Sequence, residues 1–294
     1  MSVAISRSDR PGIAEQSIAQ TPLERGDGCA ELRFERRGGA TALARLFQRS
    51  PCRILFPNAA SDDLPVAVMV TTSGGLAGGD RLRLEVEAGP GAAAVTTAQA
   101  AEKIYRSLGP ETRLEIALTV DAGAWLEWLP QETILFEGAR LVRRTVADVA
   151  EGGRLLACEM TVFGRAARGE RFTRGLLGDR WSVRRGGALA WTDALLLEHG
   201  IAERLASPFG FDGATAIATA LYVGPDAAAL LPLARALALD GEARAGASLV
   251  NGVLLARFLG RDARDVREHL AAYLSHLRRA AAGLPAMMPR VWHC

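Results

Sequence analysis

The sequence predicts a mainly β protein, its short strands stacked in a solenoid-like manner, with about two α-helices in the C-terminal part. Three observations lead there. Apolar and charged residues alternate at Leu32 and Phe34, at Leu82, Leu84 and Val86, and at Leu114, Ile116, Leu118 and Val120. That period of two belongs to strands with one buried face. Glycine and proline punctuate the chain closely, at Gly38-Gly39, Gly74-Gly75, Gly78-Gly79, Gly89-Pro90-Gly91, Gly109-Pro110, Gly152-Gly153 and Gly186-Gly187. Helical patterning enters only late. No fixed period emerges, so no sequence repeat is claimed.

Taken in order, residues 1–28 mix Ser, Arg, Pro, Gly and Gln without periodicity and read as a disordered arm. Residues 29–294 are expected to form a single β-rich domain. The segment Ala92–Tyr105 carries alanines that suit a helix, but Val95-Thr96-Thr97 and its neighbours favour a strand. Gly186-Gly187, between Trp181-Ser182-Val183 and Leu189-Ala190-Trp191, marks a hairpin. Asp226–Leu239 is apolar on most faces and reads as a buried helix. Asp262–Gly283 places Val266, Leu270, Leu274 and Leu277 on one stripe, with acids at its start and Arg278-Arg279 at its end. Both charge placements complement the helix dipole, and Gly283 with Pro285 stops the helix.

Composition narrows the function classes. A chain of 294 residues with 49% hydrophobic content can bury a full core. Its 35 bases nearly balance 33 acids, for a net charge of +2, which argues against a simple electrostatic nucleic-acid binder. Between Arg140 and Arg185, however, eleven arginines face five acids, as a solvated face or a contact surface for an acidic protein partner. Cys29, Cys52, Cys158 and Cys294 lie far apart, with neither metal-knuckle spacing nor a disulfide framework. No secretory signal is evident, and the longest apolar run, Ala227–Leu239, is too short to cross a bilayer. A soluble, cytoplasmic protein is expected.

Of the 35 bases only Lys103 is lysine, and it sits in Thr96-Thr97-Ala-Gln-Ala-Ala-Glu-Lys103-Ile-Tyr105-Arg106. A Schiff-base nucleophile would need desolvation or a neighbouring cation; a structural lysine paired with a carboxylate across strands is the simpler reading. The loop Gly74-Gly75-Leu-Ala-Gly78-Gly79-Asp80 lacks the Gly-Lys-Ser/Thr of a phosphate loop and leads into a strand, so it reads as a β connection with Asp80 capping the turn. His269 and His276 are two turns apart on one helix face, too far to clamp one ion, and His293-Cys294 offers only adventitious metal binding. Asp80, Glu132, Glu159 and Glu170 could coordinate a cation weakly and transiently. Trp125, Trp128, Trp181 and Trp191 could form a carbohydrate-binding platform, though core packing is the simpler reading.

Five blocks in order, GGLAGGD, TTAQAAEKIYRS, WLEWLPQETILFEGARL, GRAARGERF and PRVWHC, resemble the urease accessory proteins of the UreD (also UreH) family. The resemblance runs from about Ala30 to Cys294 and rests on Gly74, Gly75, Gly78, Gly79, Asp80, Thr96, Thr97, Lys103, Tyr105 and Arg106. Gln131, Glu132, Arg165, Glu170 and Trp292 carry it further. Ser73 departs from the pattern, since the family typically has proline there. The resemblance implies a non-enzymatic protein that binds apo-urease, a helical UreF-type partner and a UreG-type GTPase. Together they would insert nickel into urease at the expense of GTP. It implies no tightly bound cofactor, only nickel in transit, with Asp80, Glu159 and Glu170 as candidates for an interior path. A lysine-dependent enzyme and a β-rich ligand-binding module are the alternatives.

Overall fold

A computed structural model describes residues 25–58 and 63–293. Most of the expected N-terminal arm and Cys294 therefore lie outside the described residues. The first strand, β1 (Asp27–Arg37), already begins inside the span expected to be that arm. It turns back through Gly38-Gly39 into β2 (Ala40–Arg49), followed by β3 (Cys52–Leu55) and β4 (Val66–Thr71).

The chain then winds as a coil. A turn of it comprises β5 (Arg81–Ala88), β6 (Ala93–Ala98) and the short β7 (Glu102–Ile104). The next comprises β8 (Thr112–Val120), β9 (Trp125–Leu129) and β10 (Thr133–Leu135). After β11 (Arg140–Val149), the long β12 (Arg154–Arg165) spans two faces of the coil by itself. The chain leaves through β13 (Glu170–Arg171), β14 (Leu176–Arg185) and β15 (Ala188–Leu197). Strand pairing from β5 through β14 on one face, and from β4 through β12 on the other, is parallel. The short β10 pairs in parallel with β7 on one side and β12 on the other to make a third, narrow face. The solenoid-like expectation holds. So does the strand reading of Ala92–Tyr105, which supplies β6 and β7.

Two sheets result. One has seven strands in the order β15-β14-β11-β8-β5-β1-β2. The other has eleven and continues beyond β12 into an antiparallel edge built from β16 (Ala216–Val223), β18 (Val253–Gly260) and β17 (Arg244–Val250). Leu82, Leu84 and Val86, with Leu114, Ile116, Leu118 and Val120, face the second sheet, where Leu126, Leu155 and Ala157 meet them. Strands of the second sheet are covered on both sides, and so WLEWL and LLACEMTVF read as unbroken buried runs.

Among the described residues there are three α-helices. The short α1 (Ile201–Ala206) carried no signal strong enough to be expected. The others, α2 (Ala227–Leu239) and α3 (Ala263–Ala282), lie on the outer side of the second sheet and close a second core with Leu156, Met160 and Phe258. The expectation of a buried helix at Asp226–Leu239 is corrected in part. Ala227, Ala234 and Ala238 are buried and Leu230, Leu231 and Leu237 pack half-buried against the second core, while Leu233 and Leu239 reach solvent. The α3 stripe of Val266, Leu270, Leu274 and Leu277 is buried as expected.

The β14–β15 hairpin turns at Gly186 and Gly187, with φ of 54° and 83°, a left-handed pair that glycine adopts without strain. At the start of α3, the Asp262 carboxylate accepts the Arg264 backbone N–H at 2.7 Å. Asp262→Ala is expected to lower stability by about 1 kcal/mol. Urea unfolding checks this, and a variant as stable as the parent would show that the cap contributes nothing.

Candidate functional site

The motif blocks of the sequence separate into three groups in space. In the glycine loop, Asp80 accepts backbone N–H bonds from Gly26 at 2.8 Å and Ala77 at 2.7 Å, and so caps the turn. The glycines allow close approach of chain rather than of phosphate. A Cβ on Gly75, at φ 145°, would lie 2.6 Å from the Tyr105 ring, and one on Gly78 would meet Ser107 and Pro110. The side chain of Arg25 covers Gly79, and its guanidinium bonds the Gly78 carbonyl.

A second group forms a surface cluster where the turns of the coil end. The Tyr105 ring meets Phe136 edge-on at 5.1 Å, and the Arg165 guanidinium lies 4.0 Å from the centre of the Phe136 ring. Arg165 also pairs with Glu170, holding that carboxyl below its ordinary range chiefly through their hydrogen bonds. The Tyr105 hydroxyl donates to the Gly74 carbonyl at 3.0 Å, and Arg106 packs over Gly138. Thus Gly74, Gly75, Tyr105, Arg106, Arg165 and Glu170, scattered in sequence, come together here.

The third group fastens the C-terminal segment. Trp292 is buried, and its Nε1 donates to Thr97 Oγ1 and to the Leu129 carbonyl, each at 3.2 Å. Gln131 Nε2 donates to the Val291 carbonyl at 2.8 Å and the Gln99 carbonyl at 2.9 Å. Arg267 ion-pairs with Glu132, donates to the Gln131 side chain and the Trp292 carbonyl at 2.9 Å, and stacks on the Trp292 ring at 4.9 Å. Thr97, Gln131 and Glu132 were expected at a partner surface; Thr97 and Gln131 bond the chain's own tail, and Glu132 pairs with Arg267 of α3. Thr96 is buried with no partner for its hydroxyl among the described residues.

Lys103 is exposed on β7 and makes no ion pair among the described residues, so the expected cross-strand carboxylate is not there. Its neighbour Glu102 accepts from the Thr71 hydroxyl. Burial pushes the Glu102 carboxyl up to about 7, against the pull of that hydrogen bond.

Between the sheets lie two chambers. The first, about 190 Å³, is lined by Gly75, Glu102, Lys103, Trp128, Arg143 and Glu159, among others. The Trp128 indole N–H is buried with no partner among the described residues. The second chamber, about 360 Å³, is lined by Glu159, Thr161, Asp179, Asp193 and Arg257, among others. Glu159 borders both.

At this junction Arg143, 2% exposed, ion-pairs with Glu159 and reaches Asp179 with Nε at 3.1 Å and Nη2 at 2.6 Å. Its other donors reach Thr133 Oγ1 at 3.0 Å and Thr161 Oγ1 at 3.3 Å. Burial and the Asp179 charge push the Glu159 carboxyl up, and the Arg143 guanidinium pulls it back down. Of the three carboxylates expected on an interior path, Glu159 alone borders a chamber. Asp80 is engaged in its turn and Glu170 in its surface ion pair.

Sequence reasoning missed Arg143 and Asp179, although a signal existed. Arg143 falls in phase with the inward Leu141, Ala147 and Val149 of β11. The arginine-rich span is likewise not one face. Arg143 is buried, and Arg140, Arg154, Arg165, Arg174 and Arg184 pair with acids of the chain. Arg144, Arg168, Arg171 and Arg180 remain exposed without an ion pair among the described residues.

His269 is buried against Phe258 and bonds the Leu237 carbonyl at 3.0 Å, whereas His276 is exposed, so the two do not share an environment. Cys29, Cys52 and Cys158 are buried free thiols, and burial raises Cys52 to about 12. Among the described residues, no three His, Cys, Asp or Glu side chains gather as a metal cage, and no helix is long and apolar enough to cross a membrane.

These features define a coiled β scaffold with a fastened C-terminal tail and two chambers between its sheets that meet at a buried ion-paired group. A family model described as UreD urease accessory protein matches residues 26–293, and the chain belongs to that family. A urease accessory protein UreD from Magnetococcus marinus is 45% identical over 276 residues, covering 92% of this chain and 95% of the relative. One from Rhodopseudomonas palustris strain BisA53 is 42% identical over 293 residues, covering 99% of each. A UreD 1 from Methylobacterium radiotolerans is 46% identical over 288 residues, covering 96% of this chain and 97% of the relative.

Two outcomes follow from the site's geometry. The folded Glu102 value lies above the ordinary 4.5, so its neutral form is favoured in the fold. Its contribution to stability is full below about 4.5 and is lost as pH rises through about 7. Glu102→Gln is therefore expected to flatten the fall of unfolding free energy across that interval; an unchanged slope in urea titrations would contradict the assignment. Trp292→Ala, which empties the tail's anchor, is expected to cost about 3–5 kcal/mol in the same assay. A loss well under 1 kcal/mol would mean that the tail is not held by this ring.

Proposed function

We propose that this chain is a non-catalytic urease accessory protein that binds apo-urease and, with a UreF-type partner and a UreG-type GTPase, supports GTP-dependent insertion of nickel. The observation that carries this reading is the family match along residues 26–293, joined to relatives named as urease accessory proteins along nearly their whole length. Nickel is cargo in this scheme, held in transit and not kept. The physical support is the pair of chambers meeting at Glu159, with Glu102 on one side and Asp179 and Asp193 on the other. A file of oxygen donors suits a hard or borderline divalent ion and, without a thiolate or imidazole cage, lets it go.

The surface cluster of Tyr105, Phe136 and Arg165, beside Gly74, Gly75, Lys103 and Arg106, is proposed as a contact face for a partner. An aromatic pair capped by an arginine is the composition of an interface centre. The protein is proposed to work in the cytoplasm. The two alternative readings have less behind them. A Schiff-base lysine needs desolvation and Lys103 is exposed, while the four tryptophans that would make a sugar platform are buried.

The test is a urease operon lacking only this gene, complemented with the chain. Restored nickel content and urease activity are expected, with Glu159→Gln assembling normally but activating about tenfold less at limiting nickel. Lys103→Ala should support activation and borohydride should trap nothing on the chain. Apo-urease left unchanged by the wild-type chain would overturn the proposal.

A further inference from the structure

We propose that Arg143 is an internal counter-cation. Its guanidinium occupies the position between Glu159 and Asp179 that a passing divalent ion takes, so the crossing from one chamber to the other stays a weak, releasing site. The inference rests on the interior route proposed above.

Register places the group. Along the inward face of the seven-stranded sheet, Leu82 pairs with Leu114, Leu114 with Arg143, Arg143 with Asp179 and Asp179 with Leu195. Two leucines lead into a polar rung and a third follows it. Opposite this rung stand Thr133 of β10 and Glu159 and Thr161 of β12, so the guanidinium spans the gap between the two sheets. Its Nε and both terminal nitrogens are all engaged there. Stability gives no reason for such a rung, because a buried ion triad is commonly no more stable than apolar side chains of the same volume. The rung needs another reason.

Its chemistry supplies one. Two carboxyl groups and two hydroxyls converge on one point between two chambers, which is an oxygen donor set fit for a divalent ion. Left without a cation, such a pair would hold the ion and stall delivery. With Arg143 in place, an arriving ion must displace the guanidinium from Glu159, and the guanidinium stays forked on Asp179 while it does so. Its return to Glu159 then favours release of the ion.

The experiment uses the chain co-expressed with its operon partners and apo-urease, purified as the assembled complex. Retained nickel is measured by mass spectrometry and activation by urease turnover. Arg143→Gln is expected to convert the crossing into a trap. Its complex carries about one additional nickel per chain, and activation at limiting nickel falls about tenfold. Asp179→Asn leaves one guanidinium facing one carboxyl group; it is expected to retain no extra nickel and to need about tenfold more nickel for equal activation. A purely structural role for Arg143 would lower the yield of complex without adding nickel to it. An Arg143→Gln complex with the wild-type nickel content, or Asp179→Asn activating like wild type at every nickel level, overturns the inference. Should Arg143→Gln fail to assemble, Asp179→Asn decides alone. A wild-type chain that neither assembles nor activates would instead sink the parent reading, so the two failures are distinguishable.

Discussion

The structure depends on a spacing constraint. Parallel pairing on both faces of the coil stacks its turns into two facing sheets, and side chains must fill the gap between them, about 10 Å in packed sheets. Leucine, isoleucine, valine and alanine fill it along most of its length. At the Arg143 rung it is filled by a salt-bridged, hydroxyl-lined group instead, and the chambers open on either side of that rung. Apolar side chains interdigitate, whereas a guanidinium with five donors fixes its partners at set distances and leaves space around them. The interior cavities are thus a physical consequence of a polar rung inside a β coil.

A second buried charge group does the complementary work outside the coil. Arg278 on α3, 1% exposed, bonds Glu127 of β9 at 2.9 Å, Asp63 at 2.7 Å and the carbonyl of Pro285 at 2.8 Å. Together with the Arg267–Glu132–Trp292 contacts, it ties helix, sheet and C-terminal segment into one unit. Removing one member of such a buried network leaves its partner unpaired in a poorly polarisable medium, so these groups fix geometry more than they add stability. The tail in turn rests on Gln131, whose side chain also holds the loop at Ala98 and Gln99 that borders the first chamber.

Much of the fold was legible in the sequence, and the reasons are local. Period-two alternation at Leu82–Val86 and Leu114–Val120 is a direct imprint of one buried face. The Gly186-Gly187 turn and the stripe and caps of Asp262–Gly283 are likewise self-contained signals. The coil itself was harder to read as a repeat. Register-equivalent positions fall at Arg81, Arg113, Val142 and Gly178, at unequal spacings, because loops of different length separate the turns. The Asn251-Gly252 hairpin, with both residues at positive φ, carried a readable signal that went unused. In the site, Glu159 was found from its residue type, but its neighbours were not. Arg143 and Asp179 are separated from it and from each other in sequence, and only the stacking of β11, β12 and β14 joins them. Thr97, Gln131 and Glu132 belong to recognisable motifs, yet nothing local shows that their partners are on α3 and the C-terminal tail.

The central claim is that a divalent ion crosses the interior at Glu159. Anomalous diffraction at the nickel edge, from crystals of the chain with its partner proteins soaked in nickel, tests it most directly. The account predicts a peak within coordination distance of the Glu159 carboxyl group, between the two sheets. Peaks confined to the outer surface, with the junction of the chambers empty at saturating nickel, would contradict it.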